Sequence, residues 1–80
     1  MTAAAPSAED VTVRRVVVRP SSVRGWISRD DHDEARHHES PEDVVRWVRR
    51  RDAAAARRGL STVTVVEWTD VPAGFVPPAL

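Results

Sequence analysis

Hydrophobic and polar positions divide this chain into three short stretches with a strand-like pattern and one with a helical period. VTVRRVVVR (11–19) is rich in β-branched residues and ends at Pro20, so it predicts a strand. Its parity slips: Val11 and Val13 face one way, Val16 and Val18 the other. A bulge, or apolar contact on both faces, accounts for such a slip. VRGWIS (23–28) predicts a second, shorter strand, with Val23 and Ile27 on one face and Trp26 on the other. Pro20, Ser21 and Ser22 make a connection tight enough for a hairpin. STVTVVEWT (61–69) predicts a third strand, and its parity slips too, from Val63 and Val65 to Val66 and Trp68.

The helical period runs over 41–58. Ser40 is a good N-cap, Pro41 suits the first helical position and Asp43 completes a capping-box-like start. Glu42 and Asp43 match the positive end of the helix dipole, Arg57 and Arg58 the negative end, and Gly59 is a natural terminator. At about 100° per residue, Val44, Val48 and Ala55 cluster within about 40°, with Val45 and Ala56 beside them. Arg46, Arg49, Arg50 and Arg57 take the opposite side. The predicted architecture is α+β: a small three-stranded mixed sheet in β-β-α-β order, with one amphipathic helix packed on one face. One helix leaves the second face uncovered, and the parity slips make that face partly apolar. Residues 10–70 form the predicted domain, after a loose segment at 1–9 and before an extended, Pro-rich tail at 71–80.

Composition narrows the picture further. Eighty residues hold one domain with a marginal core, and pairing with another chain is a natural way to reinforce it. Cysteine is absent, which excludes disulfides and thiolate metal sites. Lys, Asn, Gln and Tyr are absent as well, and all 12 basic residues are Arg. That bias is the mark of a GC-rich coding sequence, as in a high-GC bacterium or one of its viruses. Net charge is zero but segregated: −2 over 1–10, +4 over 11–28, −5 over 29–43, +5 over 44–60 and −2 over 61–80. Neutrality argues against bulk attraction to nucleic acid, while segregation allows local patches. No apolar run is long enough for a membrane span, and the N-terminus lacks the pattern of a signal peptide, so a cytoplasmic protein is expected.

The densest candidate chemistry is RDDHDEARHHE (29–39), with eight Asp, Glu or His side chains in eleven positions. His32 lies five residues from His37 and six from His38, and neither spacing puts two rings on one helix face. HExxH is absent, and no glycine makes the sharp turn of a calcium loop. The expected reading is a solvated acidic connector that binds no metal, with His32, His37 and His38 available to a basic partner and titrating near or above about 6.5. Arg46, Arg49, Arg50 and Arg57 form a candidate cationic face, with Trp47 at the flank of the apolar stripe as the tryptophan expected to be most exposed. The acidic first turn (Glu42, Asp43) opposes phosphate there. Trp26 and Trp68 are candidates to share a sheet face. The tail has three possible fates: packing on its own sheet, disorder, or docking in a partner groove.

Catalysis has little support: Gly25, Gly59 and Gly74 are isolated and there is no GxSxG. The expected function is a small non-catalytic protein-binding module, such as a regulator, an accessory subunit or a virus-encoded modulator of a host protein. It would need no cofactor and would act through charged faces and open sheet edges, as a homo-oligomer or a subunit of a complex. The alternative is a dimeric nucleic-acid-binding regulator that uses the Arg-rich helix face.

Overall fold

The computed structural model describes residues 11–80; the loose segment expected at 1–9 lies outside the described residues. The order is β1 (Thr12–Pro20), β2 (Trp26–Asp30), β3 (Ala35–His38), α1 (Pro41–Arg57) and β4 (Thr62–Trp68). The fold is α+β with one helix and a mixed sheet, and the sheet has four strands where three were expected. The added strand, β3, comes from the stretch expected to be a solvated connector. Its sequence ARHH carries almost no apolar signal. It forms because the chain turns back on β2, pairing Trp26 with His38 and Ser28 with Arg36. The turn is built by Asp30, whose Oδ1 accepts from the amides of His32 (2.9 Å) and Glu34 (3.0 Å). This is the local side-chain capping that Asp supplies in turns.

The sheet order is β3-β2-β1-β4, with β1–β2 and β2–β3 antiparallel and β1–β4 parallel. The helix therefore carries the chain from one edge strand to the other. No bulge interrupts the pairing of β1, so its parity slip is a change of face. Val16 and Val18 lie buried beneath the helix, against Val44 and Val48. Val13 lies on the other face, as do Val63 and Val65 of β4, and these three are 57%, 50% and 47% exposed. Thr64 faces inward and donates to Asp52 Oδ1 of the helix at 2.7 Å.

Among the described residues the buried apolar side chains are all valine or alanine: Val16, Val18, Val44, Val45, Val48 and Ala55. Aromatic rings enlarge this small core at one end. Trp26 and Trp68 meet edge to face at 5.8 Å, and Phe75 packs on both at 5.1 and 5.5 Å. Residues 71–80 hold no helix or strand. They extend the helix side of the sheet, where Arg49 donates to the Leu80 carbonyl at 3.0 Å, and among the described residues nothing covers Val13, Val63 and Val65 on the opposite face.

The helix boundaries follow from local chemistry. Ser40 Oγ accepts from the Asp43 amide at 3.1 Å, and Pro41 opens the first turn. Gly59, at φ +78°, ends the helix and donates to the Ala56 carbonyl. Ser40→Ala is expected to lower stability by about 1 kcal/mol, measured by urea denaturation.

Candidate functional site

The eight Asp, Glu and His residues of RDDHDEARHHE do not converge. Successive strand residues point to opposite faces, which separates the adjacent His37 and His38. His38 is 2% exposed beneath the helix, where it cannot present its ring to a partner. His37 is exposed, and its Nε2 donates to the Arg24 carbonyl at 2.7 Å. His32 is exposed in the β2–β3 turn. Among the described residues no three His, Asp or Glu side chains form a ligand set for a metal ion.

His38 instead sits in a buried polar network. Its Nε2 lies 2.8 Å from Ser28 Oγ, and its Nδ1 lies 3.4 Å from the Asp43 carboxylate. Asp43 can only accept, so Nδ1 carries the ring proton and Nε2 accepts from the Ser28 hydroxyl. Trp47 meets the ring edge-on at 5.3 Å. The order Ser-His-Asp is that of a hydrolytic triad. A nucleophile must reach its substrate, however, and Ser28 is 1% exposed in mid-strand. The network ties β2 and β3 to the start of the helix.

Burial pushes the His38 pKa below its usual value, and the hydrogen bond and charge of Asp43 oppose this only in part. This reverses the expected direction for His38, because desolvation outweighs the acidic neighbourhood. Burial alone would raise the Asp43 pKa, but hydrogen bonds with Arg46 and His38 more than offset it and hold the carboxyl below its usual range.

The candidate cationic residues disperse along α1. Arg46 lies 3.4 Å from Asp43, and Arg49 reaches the tail. Arg50 and Arg57 are exposed at the surface. Trp47 is half-buried, as are Trp26 and Trp68.

Two features emerge: an open sheet edge, expected in kind but now placed on a particular strand, and a cleft that the sequence did not single out. The first is the sheet edge at β4. In a parallel pair, alternate residues of a strand bond to the neighbour. The Thr12 amide donates to the Ser61 carbonyl and the Thr69 amide to the Val18 carbonyl, each at 2.8 Å. The odd-numbered residues of β4 thus face β1, and the backbone groups of Thr62, Thr64, Val66 and Trp68 point out from the sheet. β3, the other edge, has four residues and carries Arg36 and His37; β4 has seven, with Glu67 as its one charge.

The second is a cleft of about 220 Å³ between the β2–β3 turn and the helix, lined by Asp30, Glu34, Ala35, Arg36, Trp47 and Arg51. A smaller cleft of about 90 Å³ also touches Asp30 and Arg51 and continues to Arg14. Arg36 and Arg51 both lie over the Trp47 ring, at 5.5 and 4.6 Å. A sequence signal for Arg51 exists. It falls about 20° from Val44 on the helical wheel, inside the apolar stripe. Asp30, held below the usual carboxyl pKa chiefly by the hydrogen bond from the Glu34 amide, is the acidic wall of the cleft.

No family model, curated protein or solved structure matches the chain. No helix among the described residues is long and apolar enough to cross a membrane.

Proposed function

We propose that this chain is a non-catalytic protein-interaction module that works by strand addition at β4, with a second copy of itself as partner. The observation that carries this reading is the coincidence of the β4 edge, unpaired among the described residues, with the exposed Val63 and Val65 on the same strand. Such edges are templates for pairing unless something blunts them, and β4 has neither a proline nor a charge before Glu67. An antiparallel pair of β4 strands can overlap in full, with Thr62 opposite Trp68, Thr64 opposite Val66, and Val65 opposite Val65 on the two-fold axis. Every outward backbone group is then bonded, and the valines of both copies join in one apolar strip. The marginal core supports the same reading, since the dimer would share one sheet.

Sedimentation equilibrium tests it. The wild type is expected to dimerise reversibly. Val65→Arg sets two guanidinium groups against each other and should weaken association on the order of a hundredfold. The exposure of Val65 means that the fold of the variant should survive, as checked by circular dichroism. A protein that stays monomeric at high concentration would overturn the proposal. Salt-sensitive retention of nucleic acid, lost in Arg46→Glu with Arg50→Glu, would move the function to the cationic helix face.

A further inference from the structure

We propose that the cleft between the β2–β3 turn and the helix binds a carboxylate group, with Arg51 as its seat and Trp47 as its apolar wall. This site lies on the helix side of the sheet and is independent of pairing at β4.

The argument begins with Arg51 itself. Its Nη1 is buried and has no hydrogen-bond partner among the described residues. A guanidinium carries only donors, so each of its N–H groups needs an acceptor. A buried donor without an acceptor is unfavourable, and a turn of the side chain that brings the guanidinium to an anion in the cleft it lines removes the penalty. Arg14 and Arg36, which also line the two clefts, have no carboxylate within 4.0 Å among the described residues, nor does Arg51. By contrast, Arg15, Arg29 and Arg46 are each paired with an acid.

The chemical class follows from the rest of the lining. The planar guanidinium presents paired donors that match the two oxygens of a carboxylate. The Trp47 ring, already flanked by Arg36 and Arg51, offers an apolar surface to the carbon skeleton that bears the carboxylate. Asp30 and Glu34 stand at the same cleft. Their charge opposes a phosphate dianion more strongly than a monoanion. A carboxylate satisfies Arg51 without overloading the acidic wall. It can come from a free organic acid or from the acidic side chain or terminus of a peptide.

Titration of the ¹⁵N-labelled protein with acetate, glutarate, a blocked peptide bearing one Glu, and inorganic phosphate tests the site. Sodium chloride holds ionic strength constant. The Trp47 indole N–H signal is expected to shift and saturate with the carboxylates, and the melting temperature should rise in parallel. Arg51→Met should weaken carboxylate binding at least tenfold. It removes an unsatisfied donor, so it should fold at least as well as the wild type. Arg58→Met, in the exposed helix C-cap, should bind like the wild type. Tighter binding of the Glu peptide than of glutarate marks a polypeptide ligand, and the reverse order a small acid. Equal response to chloride, tighter binding of phosphate than of carboxylate, or unchanged binding in Arg51→Met would each overturn the proposal.

Discussion

Gly25→Ala is expected to destabilise the domain by about 2–4 kcal/mol, a large part of the total for a chain this size. Two effects act together. Gly25 sits at φ +76°, in the left-handed region that side chains resist. A Cβ added there would also lie 2.5 Å from the His38 carbonyl oxygen and 2.6 Å from His37 Nε2. The first of these is backbone in β3 and cannot rotate away. The loop 21–25 is itself closed by a hydrogen bond from the Ser21 amide to the Gly25 carbonyl at 2.9 Å, so it has little room to yield. Gly59→Ala is the control. Gly59 has a similar φ of +78° but nothing within 4 Å of an added Cβ, so only the conformational cost of about 1 kcal/mol should appear. Thermal unfolding of the two variants separates the terms. A Gly25→Ala protein that melted with Gly59→Ala would refute the close approach of the loop to β3.

Acid should weaken the fold through His38. Burial lowers its pKa in the folded state below the usual value of about 6.5, which the unfolded chain retains. Between the two values the unfolded chain binds more protons, so stability increases with pH across that window. The stabilisation is complete above about pH 6.5 and is lost as pH falls toward the folded pKa. Asp43 and Asp30 act in the same sense at lower pH. Both carboxyls are held below their usual range, so their contribution is lost as pH drops through their folded values. Urea denaturation at a series of pH values should show a fall in stability below about pH 6.5. His38→Ala should flatten that dependence. It should also cost about 2–4 kcal/mol at neutral pH, because a fully buried ring is removed and the Ser28 hydroxyl loses its acceptor. A wild-type profile that is flat from pH 7.5 to 5 would contradict the buried, neutral histidine.

The role of His38 shows where sequence reasoning stops. His37 and His38 look alike in the chain, and both stood in an acidic stretch that reads as solvent-exposed. Pairing of β3 with β2 turned one ring outward and buried the other, and only the second acquired partners from Ser28 and Asp43. Arg51 is a different case. Its place in the apolar stripe was visible from spacing alone, but an arginine there has meaning only once the turn and Trp47 are seen to enclose it.

By itself the sequence determined the helix, expected over 41–58 and found at Pro41–Arg57, and the strands β1 and β4, because caps, prolines and side-chain periodicity act within a few residues of one another. The second strand was expected over 23–28 but lies at Trp26–Asp30, because Gly25 at φ +76° holds Val23 and Arg24 in a loop, and Val23 is exposed instead of sharing a face with Ile27. The sequence also determined that valines would occupy both faces of the sheet. Tertiary structure alone decided that ARHH is a strand, since its hydrogen bonds come from β2 and not from its own pattern. Tertiary structure also placed Phe75 against Trp26 and Trp68 on the helix side. Among the described residues, that choice leaves Val13, Val63 and Val65 bare beside the open edge of β4, because a single helix and a short tail can cover only one face of a four-stranded sheet.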